Sequence, residues 1–310
     1  MTTIPRRSFL AAGAAALSLP GSVSSASARS AVAQVAPTRP ADGPRLNERP
    51  LDGVKTNFAC NIEMWGFGTN DHAERIRRAA DLGFRGVEFW PWRGKDLDAI
   101  DKARRDTKIE IVQFLGWGFS PGLNDPSAHE AFVEEIEAGC ETAHRFGTKM
   151  MLVIAGNDMA GVSKEKMHEN VADGLKRAVP VLEKHDIMLV LEPLNTRVDH
   201  RGYCLNNSPD AVKICKSVGS KHVKIAWDLY HLQIDEGDLC GRMKDGFDEI
   251  GYFQFADHPG RNEPGTGEIN YQRVFRAAHE LGYKGWFGAE CSPLEGERRA
   301  AERLAATDPA

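Results

Sequence analysis

The chain has 310 residues, with 39 Lys and Arg against 44 Asp and Glu, a formal charge of −5, 42% hydrophobic and 27% charged residues. Charges this plentiful exclude a membrane-embedded body. The basic residues gather only in pairs such as Arg77-Arg78 and Arg104-Arg105, so no polyanion-binding surface is expected and a nucleic-acid partner is excluded on electrostatic grounds.

In chain order, the first signal is Arg6-Arg7-Ser8-Phe9-Leu10, a twin-arginine pattern followed by an apolar run from Phe9 to Leu19 and the small-residue stretch Ala26-Ser27-Ala28. Residues 1–28 are therefore expected to be a twin-arginine signal peptide, removed on export to the periplasm. The apolar run is too short to span about 30 Å of hydrocarbon, so no membrane attachment is expected after its removal. Residues 29–52, rich in Ala, Pro, Arg and Ser, are expected to be a linker without a packed core. A catalytic domain is expected over 53–310, close to the roughly 250 residues of a single α/β barrel. Twin-arginine export of a folded chain suits a protein that acquires a metal before crossing.

From residue 55 onward short β-prone runs alternate with longer helical patterns. The strand candidates are 56–61, 86–89, 109–115, 150–155, 188–192, 223–228, 252–256 and 285–290. Met150-Met151-Leu152-Val153-Ile154-Ala155 is a continuous apolar run, as expected of a strand buried on both faces. Helix ends are marked between them. Asp71 with Glu74 resembles a capping box closed by Gly83, Ser208-Pro209 opens a helix that Gly219 stops, Asn270 and Gly282 bracket another, and Gly147 ends a third. Leu82-Gly83-Phe84-Arg85-Gly86 before the second strand echoes Leu281-Gly282-Tyr283-Lys284-Gly285 before the eighth. Eight strands, this repeat, and no G-x-G-x-x-G after the first strand favour a closed (β/α)₈ TIM barrel over an open doubly wound sheet.

Such a barrel places its active site at the C-terminal ends of the strands. Strand five ends on Glu192, strand six on Asp228 and strand eight on Glu290, while strand seven offers Gln254, with Asp257 as the fallback. Burying three carboxylates together without a cation is costly and pushes their pKa values up. A divalent ion removes that cost, and oxygen-only ligation suits Mg²⁺ or Mn²⁺. Glu88, ending strand two, is either a pocket residue or a buried network partner. His231 lies three residues past Asp228, placed to hydrogen-bond a substrate oxygen or tune the ligands. Arg261 sits in a Gly-rich loop, 259–268, that reads as a lid, and suits a carboxylate. Of the six cysteines none forms a C-x-x-C pair, but Cys60 ends the first strand and Cys291 follows the last, so the two are expected near each other and able to pair. Trp65, Trp90, Trp92 and Trp117 stand near strand ends, lining either the pocket or an interface in a homo-oligomer.

Glu192-Pro193-Leu194-Asn195, Asp228-Leu229-Tyr230-His231-Leu232-Gln233, Glu236-Gly237-Asp238-Leu239 and the run 259–271 resemble the hydroxypyruvate isomerase family of the xylose-isomerase-like barrels, a group that also includes ketose 3-epimerases. The resemblance covers about residues 55–293 and is most specific in the last hundred. It implies that Glu192 and Glu290 are the catalytic acid/base pair, that Glu192, Asp228, Gln254 and Glu290 surround a divalent metal, and that His231 and Arg261 touch substrate. The implied reaction interconverts hydroxypyruvate and tartronate semialdehyde through an enediolate, so the partner is a small hydroxy-keto acid or a sugar. Alternatives are a metal-dependent sugar isomerase or ketose 3-epimerase and, in another class, an exported sugar-binding barrel without catalysis. A barrel phosphodiesterase is disfavoured because its His-rich zinc positions are missing. The chain departs from the family run at 200–204, and Cys291 stands where an aromatic residue is expected.

Overall fold

A computed structural model describes residues 49–309. The expected signal peptide and nearly all of the expected linker lie outside the described residues. Eight parallel strands close into one barrel, each hydrogen-bonded to the next and the last to the first. The strands are β1 (Asn57–Asn61), β2 (Gly86–Pro91), β3 (Glu110–Trp117), β4 (Met150–Ile154), β5 (Met188–Glu192), β6 (Val223–Asp228), β7 (Ile250–Phe255) and β8 (Trp286–Ala289). Around them run α1 (His72–Asp81), α2 (Leu97–Thr107), α3 (His129–Phe146), α4 (Lys164–His185), α5 (Ser208–Val218), α6 (Leu229–Asp235), α7 (Leu239–Gly246), α8 (Tyr271–Glu280) and α9 (Glu297–Ala305). Every expected strand is present, two with the expected ends and the rest with ends displaced by at most two residues. Among the described residues no helix is long and apolar enough to cross a membrane.

The caps explain where helices begin and where expectation slips. Asp71 accepts from the backbone N–H groups of Ala73 and Glu74, but Glu74 turns to Arg78 at 2.9 Å and the Asp71 N–H goes to Thr69, so only half of the capping box forms. Asn207, not Ser208, caps α5 by accepting from Asp210 N–H, and Pro209 follows inside the first turn. Gly147 and Gly219 take the left-handed conformation that ends α3 and α5. The packed body also reaches into the segment expected to be linker: Leu51 is buried and its N–H bonds to Leu82 O at 3.1 Å.

Alternation along each strand sends one set of side chains outward to the helices and the other inward. The outward set is aromatic around α8, where Phe253 and Phe287 stack at 5.0 Å and Phe255 and Phe275 meet edge-on at 5.2 Å. The inward set includes a polar cluster, in which Asn61, Glu88, Gln113, Tyr252 and Gln254 are all fully buried. Gly288 on β8 makes room for them, since a Cβ there would stand 2.5 Å from the Tyr252 hydroxyl and 2.7 Å from Glu88 Oε2. Cys60 pairs in register with Ala289 and feels the charge of Cys291, so the expected proximity holds, yet both are free thiols. The disulfide expectation is therefore corrected. Burial holds both thiols well above their usual range, which keeps them protonated and inert.

Candidate active site

Glu192 and Asp228 are the last residues of β5 and β6, Gln254 lies opposite Asp228 in the β6–β7 register, and Glu290 directly follows β8. All four are buried, none more than 3% exposed. One ligand atom from each of Glu192, Asp228, His231 and Glu290 falls within 4.8 Å of the others. A cavity of about 310 Å³ opens onto Glu192, Glu290, His231 and Arg261 on its polar side, with Trp90, Phe119 and Ile154 among its apolar walls.

Burial first, then the Glu290 and Asp228 charges, pushes Glu192 well above the usual carboxylate range. Burial and Glu290 push Asp228 up to about 7, against Arg261 and the backbone N–H groups of His231 and Tyr230. Arg261 donates to Glu290 Oε2 at 2.8 Å and Trp90 Nε1 to Glu290 Oε1 at 2.9 Å. Burial works against the Arg261 charge, but Glu290, Asp228 and Glu192 together outweigh it and bind its proton more tightly. One guanidinium thus faces three carboxylates in a low-dielectric site, an excess of negative charge that a cation relieves. Two buried oxygens, Glu192 Oε1 and Gln254 Oε1, have no hydrogen-bond partner. The donor set and these orphaned atoms fit a divalent oxygen-liganded ion.

Below this cluster, Glu88 resolves the choice left open by sequence: it belongs to a buried network, outside the cavity lining. Its carboxylate accepts from Asn61 Nδ2 (3.0 Å), Gln113 Nε2 (2.8 Å), the Tyr252 hydroxyl (2.5 Å) and Gln254 Nε2 (3.3 Å). Burial and then Glu290 raise it to about 7, while Tyr252, Gln113 and Asn61 restrain the rise. Gln254 presents its amide nitrogen to Glu88 Oε1, which leaves Gln254 Oε1 free. Asn61 Nδ2 also reaches Glu290 Oε1 at 3.4 Å, tying the two carboxylate layers together.

His231 is oriented by Asn195, a partner that sequence reasoning quoted in a motif but gave no role. The Asn195 backbone N–H donates to His231 Nδ1 at 3.2 Å and the Asn195 amide nitrogen stands 2.7 Å from the same atom. A backbone N–H cannot accept, and the two Asn195 donors at Nδ1 outweigh the single, longer contact of Arg261 Nη2 with Nε2 at 3.4 Å, so Nδ1 is assigned as the acceptor and the neutral ring's proton to Nε2. Burial, Arg261 and His200 hold His231 well below the usual histidine range and so keep it neutral. The ring therefore offers a donor rather than a lone pair at Nε2, which suits a substrate oxygen and not a metal.

Asp257 is not needed as a ligand. It accepts from the N–H groups of His258, Gly265 and Ile269 and so pins the 259–268 loop. Glu263 in that loop is buried and accepts from Arg303 of α9 at 2.6 Å. Cys291 does not line the cavity, whereas His200, from the segment that departs from the family run, does. Trp90 lines the cavity, while Trp65 is a core residue whose Nε1 bonds to Ala289 O at 3.0 Å.

A family model described as a xylose isomerase-like TIM barrel matches residues 76–307. The hydroxypyruvate isomerase of Escherichia coli (strain K12) is 35% identical over 242 residues, covering 76% of this chain and 93% of that protein. A 2-oxo-tetronate isomerase of Cupriavidus necator is 35% identical over 250 residues, covering 77% and 94%. Among solved structures, an AP endonuclease, family 2, from Brucella melitensis superposes with a TM-score of 0.76 at 27% identity, covering 81% of this chain and 98% of that one. With the strand-end carboxylates, the Asp228–His231 spacing and these relatives together, the chain belongs to the xylose isomerase-like TIM barrels, in their hydroxypyruvate isomerase family, and is an isomerase.

Proposed function

We propose that the protein interconverts a 2-oxo-3-hydroxy acid and its 3-oxo-2-hydroxy isomer, hydroxypyruvate and tartronate semialdehyde being the smallest such pair. The observation that carries this reading is the convergence of Glu192 and Glu290 from separate arcs of the ring onto one buried cavity that also holds a neutral imidazole donor and an arginine. The hydroxypyruvate and 2-oxo-tetronate isomerases among its relatives support the substrate class.

Arg261 Nε is buried without a hydrogen-bond partner, so the guanidinium has a donor to spare for the substrate carboxylate. Glu290, steadied by Arg261 and Trp90, takes the proton from C3 and leaves an enediolate. His231 Nε2–H donates to the oxygen that gains charge. Glu192 delivers a proton to C2 while the hydroxyl proton on O3 passes to O2, which leaves an aldehyde at C3 and a hydroxyl at C2, and the roles exchange in the reverse direction. Glu192, Asp228, Gln254 and Glu290 would hold Mg²⁺ or Mn²⁺, which when bound polarises the carbonyl and stabilises negative charge. A sugar isomerase or ketose 3-epimerase would use the same residues, and the cavity leaves room for a chain longer than three carbons.

The test is solvent-proton exchange in D₂O, followed by NMR over a panel of hydroxypyruvate and small ketoses with Mn²⁺, Mg²⁺ or EDTA. With saturating metal, Glu192→Gln is expected to wash out the C3 proton of hydroxypyruvate yet form little product, whereas Glu290→Gln loses both. Exchange restricted to ketoses would replace the keto-acid reading with the sugar one, and no exchange across the panel would remove the enediolate. Export is proposed on the twin-arginine pattern alone; Arg6→Lys with Arg7→Lys should retain the protein in the cytoplasm, and unchanged export would refute it.

A further inference from the structure

We propose that His200 is a specificity residue that hydrogen-bonds a hydroxyl on the substrate carbon beyond the reacting pair, so that the enzyme selects 2-oxo acids of four or more carbons over the three-carbon one. This rests on the function proposed above.

His200 lies in the loop between β5 and α5, where its backbone is fixed by N–H to Asn195 O and by C=O from Tyr203 N–H, both at 3.0 Å. Its ring stacks on Phe119 with centroids 5.4 Å apart and planes 19° apart, and stands 5.3 Å from the His231 ring. With its position set from both sides, neither ring nitrogen has a hydrogen-bond partner among the described residues. The ring is half-buried and lines the cavity, at its rim, while His231 is buried deeper.

The other polar side chains lining the cavity are already engaged by a three-carbon acid. Glu192 and Glu290 move protons, His231 meets the oxygen of the reacting pair, and Arg261 meets the carboxylate. His200 is the remaining polar group in the lining, and no oxygen of hydroxypyruvate is left for it. At about 30 Å³ per water, the cavity of about 310 Å³ has room for roughly ten waters, more than a three-carbon acid displaces. Burial and the nearby Arg261 lower the His200 pKa, and a neutral imidazole both donates and accepts, which matches a hydroxyl rather than a second carboxylate. A site built to bond a hydroxyl discriminates strongly against the analogue lacking it, because its polar group is then left unpaired.

The experiment compares kcat/KM of the purified mature protein, with saturating Mn²⁺, on hydroxypyruvate and on 2-oxo-3,4-dihydroxybutanoate. His200→Phe keeps the stack on Phe119 and removes both nitrogens; His200→Gln restores a donor and an acceptor. His200→Phe is expected to lose roughly ten- to a hundredfold on the four-carbon acid and less than about threefold on hydroxypyruvate, with His200→Gln recovering part of the loss. Equal losses on both acids, or no loss on either, would overturn the assignment while leaving the isomerase reading intact. Wild-type protein that turns over neither acid would overturn the keto-acid reading and this inference with it.

Discussion

Two layers of buried carboxylate lie within one barrel, and they are built on opposite principles. In the lower layer Glu88 accepts from four side chains drawn from β1, β3 and β7. In the upper layer Glu192 and Gln254 each keep a buried oxygen without a partner. Desolvation costs both layers, but both oxygens of Glu88 are partnered within the protein, whereas Glu192 Oε1 is not, and the one orphaned oxygen of the lower layer, Gln113 Oε1, is a neutral amide's. A carboxylate satisfied by the fold holds other groups in place, whereas one left with an unpartnered oxygen is ready to bind something else. In the proposed reaction the upper layer is the working site and the lower layer its foundation.

The largest effect expected from breaking this contrast is at Glu290. Glu290→Gln should keep the fold and lower kcat by at least the roughly 10²–10⁴-fold that positioned acid–base catalysis contributes. Steady-state turnover near the wild-type value would refute its role. The isosteric change at Glu88 should act differently, since Glu88 touches no substrate. Without an obligatory acceptor beneath it, the Gln254 amide is free to turn, and Glu88→Gln should weaken Mn²⁺ binding roughly 10–100-fold, the usual cost of losing a partner behind a metal ligand. Calorimetric titration with Mn²⁺ checks this without reference to activity, and unchanged affinity would reduce Glu88 to a packing group.

The layers also differ in how legible they were in sequence. Glu192, Asp228 and Glu290 each terminate an apolar run, so strand counting alone sets them side by side, and the family resemblance added their roles. Glu88 terminates such a run as well, but its partners Asn61, Gln113, Tyr252 and Gln254 come from three strands, and only the closed register brings them together. Asp228 hid a second function: it accepts from Tyr230 and His231 N–H and starts α6 directly at the strand end. His200 showed only as a departure from a family pattern, because its meaning lies in the rings it packs against. The possible Cys60–Cys291 bond failed for a related reason: strand neighbours can lie close without bringing their sulfurs to bonding geometry.

Titration offers another way to sharpen the comparison. Burial raises the folded-state values of both Asp228 and Glu88 from the ordinary carboxylate range to about 7. Between about pH 4 and 7 the folded state therefore binds more protons than the unfolded one, so stability falls as pH rises through that window. Each shift corresponds to at most about 3–4 kcal/mol. In EDTA the melting temperature should drop from pH 5 to pH 8, and saturating Mn²⁺ should flatten the profile by favouring the ionised upper layer. A flat or rising profile in EDTA would mean that the His231 and His200 rings, whose lowered pKa values favour the fold as pH rises, match or outweigh the carboxylates.

The smallest expected effect separates orientation from chemistry at His231. Asn195→Ala retains the backbone N–H that donates to Nδ1 but removes the amide 2.7 Å from the same atom. It also removes the Oδ1 that accepts from Val198 and Asp199 N–H at 3.0 Å, so the loop carrying His200 loses part of its anchorage. The tautomer should survive on the backbone bond, while the ring is held less tightly. Activity should then fall by roughly the 5- to 12-fold that one neutral hydrogen bond of about 1–1.5 kcal/mol represents, chiefly in kcat, with Mn²⁺ affinity unchanged because His231 presents no lone pair to the ion. Loss of metal affinity in Asn195→Ala would instead place His231 among the ligands and require the opposite tautomer, with its proton on Nδ1, where the backbone N–H of Asn195 already points.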